Sequence, residues 1–216
     1  MKLHEENKIK EIFRNLDEYL NEKVTAYLLG GGAMIYHGSK TATKDIDLVL
    51  DDYNQLTILS NTLKRIGYET VTELENQYEK LGAKTVLEKD GQPRFDIFLN
   101  IVCKKLGLSK TIKERSTEAF DLNNLTIKVL SKEDIFLFKV VATRDRDIED
   151  ASILVETGLN WKIILKETEA QSKITDRRWF PMLYQVIEEL EEEYSQTCPV
   201  KEEIYQKAIA DLEDIQ

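Results

Sequence analysis

Cysteine is scarce in this chain of 216 residues, which has two, Cys103 and Cys198. They are far apart, and neither has a Cys-x-x-Cys partner. A disulfide framework and a thiolate zinc site are therefore excluded as organising devices. Long apolar runs are missing too. None approaches the roughly 18 residues that a membrane-spanning helix requires, so no membrane partner is expected. The opening Met1-Lys2-Leu3-His4-Glu5-Glu6 does not read as a signal peptide, and a cytoplasmic protein is the expectation. Positive charge is also short: 30 Lys and Arg stand against 40 Asp and Glu, a formal net charge of -10. Binding to DNA draws on many cations that neutralise phosphates, so no DNA partner is expected. The acidic excess is uneven, however. Glu188-Glu189 and Glu191-Glu192-Glu193 concentrate it in the last third. A local basic surface elsewhere, and with it RNA, remains compatible with the global sign.

What is present suits a soluble globular protein. Apolar residues make up 42% and charged residues 32%. The length allows a sizeable core, as one domain or as a domain with a helical appendage. Residues 5–22 place Ile9, Ile12, Phe13, Leu16, Tyr19 and Leu20 at helical spacing. Val24–Leu29 is an apolar run with two β-branched residues, the pattern of a buried strand. A short helix is expected over 33–37, just after Gly30-Gly31-Gly32. Ile46–Leu50 reads as a second strand and Asn54–Ile66 as a helix stopped by Gly67. Tyr68–Leu74 is a modest strand candidate. Lys84–Glu88 and Arg94–Val102 flank Asp90-Gly91, a hairpin signal. Thr126–Leu130 follows as a strand. Ser131 with Asp134 resembles a capping box that opens a helix over about 132–143. Further helices are expected at about 147–156, 160–171, 178–195 and 200–214, Pro199 starting the last. The reading is an α+β fold: a small mixed sheet with flanking helices over 1–130, and a helical C-terminal half over 131–216 packed on that core. No repeat of solenoid period is visible.

The chemistry is concentrated between Val24 and Asp51. An apolar run ends in Gly30, Gly31 and Gly32, and Asp45-Ile46-Asp47 then heads the next apolar run. On a strand, residues two apart share a face. Asp45 and Asp47 therefore point together while Ile46 points to the core. Two carboxylates on one face repel each other unless a cation neutralises them. A hard divalent cation with oxygen ligands, Mg2+ or Mn2+, is the natural partner, and such sites serve phosphoryl and nucleotidyl transfer. Asp96, inside Arg94-Phe95-Asp96-Ile97-Phe98, sits in a buried run and needs a partner of its own. It is a candidate third metal ligand or general base. Glycines let phosphate oxygens approach backbone N–H groups, and a helix starting just beyond would direct its positive end toward them. Ser39, Lys40 and Lys44 lie between the glycines and the carboxylates and are candidate phosphate contacts.

At these residues the chain resembles the polymerase-beta-like nucleotidyltransferase superfamily, with a glycine pair on a strand-to-helix turn, an acidic pair on the next strand and a later single acid. Gly-Gly-Gly stands where that family commonly has Gly-Ser. The likeness covers roughly residues 20–102. Farther on, Lys139 followed by Arg144-Asp145-Arg146-Asp147-Ile148-Glu149-Asp150 looks like the block of the abortive-infection, toxin–antitoxin branch. The resemblance implies that Lys139 binds the nucleotide triphosphate, with Arg144, Asp147 and Asp150 shaping the site. The residues alone also allow a solvated, mutually paired helix start.

Together these features imply a metal-dependent transferase that moves a nucleoside monophosphate from an NTP to an acceptor hydroxyl on a tRNA end, a protein or a small molecule. Asp45, Asp47 and Asp96 would be catalytic and metal-binding. Gly30, Gly31, Gly32, Ser39, Lys44, Lys139 and Arg144 would bind the nucleotide. The alternatives are a non-catalytic nucleotide-binding regulator or toxin–antitoxin component with a cognate antitoxin, and a structural protein that interacts through its acidic helices. His37, Trp161, Trp179 and Phe180 read as structural rather than as nucleotide contacts. The lysines around 104, 105, 110 and 113 read as solvated.

Overall fold

In the computed structural model, residues 4–72, 82–142, 144–175 and 178–213 are described. Among them a central mixed sheet carries nine strands. They are β2 (Val24–Leu29), β4 (Asp45–Leu50), β5 (Glu69–Thr70), β6 (Thr85–Glu88), β7 (Arg94–Leu99), β8 (Ile101–Val102), β9 (Leu106–Gly107), β10 (Thr117–Asp121) and β11 (Leu125–Val129). Their spatial order is β10-β11-β2-β4-β7-β6-β5, with β8 and β9 appended to β7. The β11–β2 and β4–β7 pairs are parallel and the others antiparallel. A separate two-stranded piece joins β1 (His4–Glu5) to β3 (Ala42–Thr43).

The register explains the site. In β4, Ile46 and Leu48 are fully buried on one face, so Asp45 and Asp47 emerge on the other. Parallel pairing then sets Asp45 beside Arg94 and Asp47 beside Asp96. All four side chains project from one side of the sheet. Phe95 and Ile97 of β7 are buried with Ile46 and Leu48 on the other side.

The helices α1 (Glu6–Tyr19) and α3 (Tyr53–Arg65) pack under the sheet through Phe13, Leu16, Leu59 and Leu63, all fully buried. Two polar side chains fix strand ends. Asp17 of α1 accepts hydrogen bonds from the backbone N–H groups of Asn124 at 2.7 Å and Leu125 at 2.9 Å. Gln55 of α3 accepts one from Thr25 at 2.7 Å. Between β2 and β3 lies α2 (Gly30–Tyr36), which begins at Gly30 rather than after the glycines. The bend is thus confined to Gly30, whose φ of +61° lies in the left-handed region.

After β9 comes α4 (Lys110–Arg115). The C-terminal part is helical as expected: α5 (Lys132–Ala142), α6 (Asp145–Glu156), α7 (Trp161–Thr175), α8 (Phe180–Tyr194) and α9 (Lys201–Glu213). These helices share one hydrophobic core with the sheet. A buried polar network adds a second tie. Arg115 reaches Asp134 and Glu167, each at 2.6 Å, while Ser109 and Thr111 also donate to Glu167. The Gln171 amide brackets Gly107, accepting from its N–H and donating to its carbonyl oxygen.

Several sequence expectations need adjustment. The strand opened at Arg94 ends at Leu99, because Asn100 adopts a left-handed conformation and reverses the chain into β8. The candidate strand at 68–74 is realised only at Glu69–Thr70, and its residues 73 and 74 lie outside the described ones. The short elements α4 and β10, too weakly patterned to stand out, had no counterpart in the sequence reading. Ser131 does cap α5, accepting from the Asp134 N–H at 3.2 Å. Asp134 returns an acceptor to the Ser131 hydroxyl at 2.7 Å rather than to a backbone N–H.

Candidate active site

The open face of β4 and β7 forms the floor of a cleft. It is lined by Gly31, Lys40, Ala42, Thr43, Lys44, Asp45, Asp47, Arg94, Asp96, Lys139, Arg144, Arg146, Asp147 and Asp150. The sheet supplies the acids of the floor. Gly31 and the segment after α2 form one wall, and α5 with the start of α6 forms the other. Residues more than a hundred positions apart thus meet in one charged pocket.

The three anticipated carboxylates are together, and their surroundings differ. Asp96 is almost wholly buried, 2% exposed, and is clasped by Arg94: Nε at 2.7 Å and Nη2 at 2.6 Å from its two oxygens. Arg94 Nε also approaches Asp45 at 3.5 Å. One oxygen of Asp45 is buried with no hydrogen-bond partner. Asp47 has its carboxylate against Gly30, so that a Cβ at position 30 would collide with it. Removal of water raises the pKa of all three. Arg94 opposes the rise at Asp45 and Asp96. At Asp47 the neighbouring Asp96 and Asp45 add to it, and its pKa is pushed up to about 8. The floor therefore holds more negative charge than its neighbours neutralise.

This donor set fits a hard divalent cation. Its ligands would be carboxylate oxygens, one of which has no hydrogen-bond partner, and the charge imbalance at the floor is of the sign a cation relieves. Among the described residues no three Asp, Glu, His or Cys side chains are already drawn into a finished metal cage. Asp96 has both oxygens on Arg94. Arg94 went unremarked in the sequence reading as a functional residue. The available signal was its position two residues before Asp96, on the same face of a strand.

The second wall is an ion-pair lattice. Lys139 of α5 is buried, and its Nζ donates to Asp147 at 2.9 Å and to Asp150 at 2.7 Å. Arg144 Nε donates to Asp147 at 2.6 Å, and Lys40 Nζ to the other oxygen of Asp150 at 2.7 Å. Burial alone would lower the Lys139 pKa, but the two aspartates more than offset that and raise it. Asp147 is lowered despite burial, by its bonds to Arg144 and by Lys139. The mutually paired block and the cleft wall are thus the same residues.

Of the other anticipated phosphate contacts, Gly31 and Lys44 line the cleft. Gly30, Gly32 and Ser39 are not among its lining residues, and the Ser39 hydroxyl is buried without a hydrogen-bond partner. Gly30 instead makes room for Asp47, and a Cβ at Gly32 would press on Leu28. His37 hydrogen-bonds through Nε2 to the Leu130 carbonyl at 2.7 Å, which is a structural tie. Trp161 packs edge-on against Phe136, and the Trp179 indole donates to Thr175. Lys105, Lys110 and Lys113 find local partners in the Val141 carbonyl, Glu114 and Asp51.

The mixed sheet thus sets paired aspartates on one strand, a third on its parallel neighbour and a glycine bend against them. Residues 6–194 match the family described as "Nucleotidyltransferase of unknown function (DUF6036)". The chain belongs to that family. Among solved structures, ANT(2")-Ia in complex with adenylyl-2"-tobramycin is similar in fold, with a TM-score of 0.50 at 14% identity over 76% of this chain and 95% of that one. No curated protein matches the sequence. No helix among the described residues is long and apolar enough to cross a membrane.

Proposed function

We propose that this nucleotidyltransferase is metal-dependent and moves a nucleoside monophosphate from an NTP to an acceptor hydroxyl. The observation that carries the reading is the shared face of Asp45, Asp47 and Asp96, enforced by the parallel register of β4 and β7. Asp45 and Asp47 would hold Mg2+ or Mn2+, with Asp96 as the third carboxylate. A divalent cation there supplies charge neutralisation along the phosphates and favours the attacking and leaving oxygens. The acceptor oxygen forms a bond to the α-phosphorus, the bond to the bridging oxygen of the β-phosphate breaks, and pyrophosphate departs. Asp96 would take the acceptor's proton. To do so it would have to release one oxygen from Arg94, which holds both in this structure. The cations of the cleft offset the charge of the triphosphate, and the ion-pair lattice keeps them in position, so that catalysis rests on alignment and electrostatics.

The acceptor is a small molecule, a protein side chain or an RNA end. The related fold of ANT(2")-Ia, seen with an adenylylated small molecule, supports including the first. The test is incubation with each α-labelled NTP, a divalent cation and separate RNA, protein and metabolite fractions. Label should pass to one fraction only when metal is present. Asp45→Asn and Asp47→Asn should each lower transfer by roughly 100-fold or more. Transfer that persists in both variants would overturn the assignment.

A further inference from the structure

Six cationic side chains line the cleft, and they are not equivalent. Lys40, Arg94, Lys139 and Arg144 each have the head group on an aspartate within 2.9 Å. A cation so bound has little charge left over for a ligand, and removing it from a buried carboxylate is costly. Lys44 and Arg146 differ. Among the described residues neither head group has a hydrogen bond or ion pair. They stand on opposite walls: Lys44 on the sheet side, between β3 and β4, and Arg146 in the first turn of α6. Both line the same cleft as Asp45.

From this arrangement we infer that Arg146 and Lys44 form the clamp on the nucleotide's phosphates, and that Lys139 is a positioning residue that aims Arg146 rather than a phosphate ligand. The inference rests on the nucleotidyltransferase reading above and departs from the role that the family resemblance implies for Lys139. The ammonium of Lys139 bridges Asp147 and Asp150, one helical turn apart on α6. That bridge fixes α6 on α5 and so fixes the direction from which Arg146 enters the cleft. A guanidinium free of competing carboxylates can engage two phosphate oxygens at once, and Lys44 supplies a point charge from the other side. A polyphosphate held between them would lie in the cleft that Asp45 also lines.

The full-length protein is titrated calorimetrically with inorganic tripolyphosphate and with NTP, each with and without Mg2+, at two salt concentrations. Arg146→Met and Lys44→Met should each weaken tripolyphosphate and NTP by about tenfold and flatten the salt dependence, with the thermal midpoint unchanged. Binding of the corresponding nucleoside monophosphate should change far less. Lys139→Met should lower the thermal midpoint, because it leaves two buried aspartates facing each other, and Lys139→Arg should restore it. Arg146→Met and Lys44→Met both binding tripolyphosphate like the wild type would overturn the clamp. So would Lys139→Met abolishing that binding at an unchanged midpoint. If the wild type bound neither ligand, the nucleotidyltransferase reading itself would fall with it. Normal wild-type binding with unaffected Arg146 and Lys44 variants would remove this inference alone.

Discussion

Asp47 carries the sharpest consequence at the residue scale. Its pKa is raised to about 8 by loss of water and by Asp96 and Asp45, well above the value near 4 of an unfolded aspartate. The folded protein therefore holds a proton there that the unfolded chain has already released. Stability from this group is fully present below about pH 4 and is lost as pH rises through about 8. Without metal, the thermal midpoint should fall between pH 5 and pH 9, and Asp47→Asn should flatten that fall. A divalent cation should release the proton on binding, so that calorimetry in buffers of different ionisation enthalpy reports proton uptake by the buffer near pH 7. A metal-free midpoint that rises over this interval in the wild type, but not in Asp47→Asn, would contradict the assignment.

Among the elements, the junction between β2 and α2 separates two demands on a glycine. Gly30 and Gly38 both have positive φ, +61° and +71°. Around Gly38 there is open space for a Cβ, whereas at Gly30 the Asp47 carboxylate occupies it. Alanine at either position costs about 1–2 kcal/mol of backbone strain. Gly38→Ala should show that loss and keep nucleotidyl transfer. Gly30→Ala should show a larger loss of stability and reduce transfer by about 100-fold, since the methyl group displaces the Asp47 carboxylate, the proposed metal ligand. Equal activity of the two variants would refute the role given to Gly30. The glycine triplet was visible in the sequence as a turn. That the first member of the triplet, all of which opens α2, makes room for a carboxylate depends on how β4 lies beside β2.

On the scale of the whole molecule, the sheet and the C-terminal helices are joined by apolar packing and by the Arg115 network. The Asp134 and Glu167 side chains bonded to Arg115 are 0% and 1% exposed. Removing the guanidinium leaves two buried carboxylates without their cation. Arg115→Met should lower unfolding free energy by about 3–5 kcal/mol in chemical denaturation. Because α5 and α6 form one wall of the cleft, the same variant should weaken NTP binding without touching the site. Denaturation like that of the wild type would show the network to be dispensable.

Local pattern alone was enough for the alternation of elements, the strand that carries Asp45 and Asp47 on one face, and the helical C-terminal half. Each depends on spacing within a few residues: period two in a strand, period three to four in a helix, a glycine at a bend. Register and long-range pairing lay beyond it. Asp96 lies beside Asp47 because β7 pairs with β4 in parallel. Arg94 was legible as a residue but not as the clasp on Asp96. Lys139 was singled out through the family resemblance, yet whether it meets a ligand or two aspartates of the same chain was decided by the docking of α6 on α5. Such choices arise between segments distant in sequence, where burial sets which charges must be neutralised and packing sets which partners are within reach.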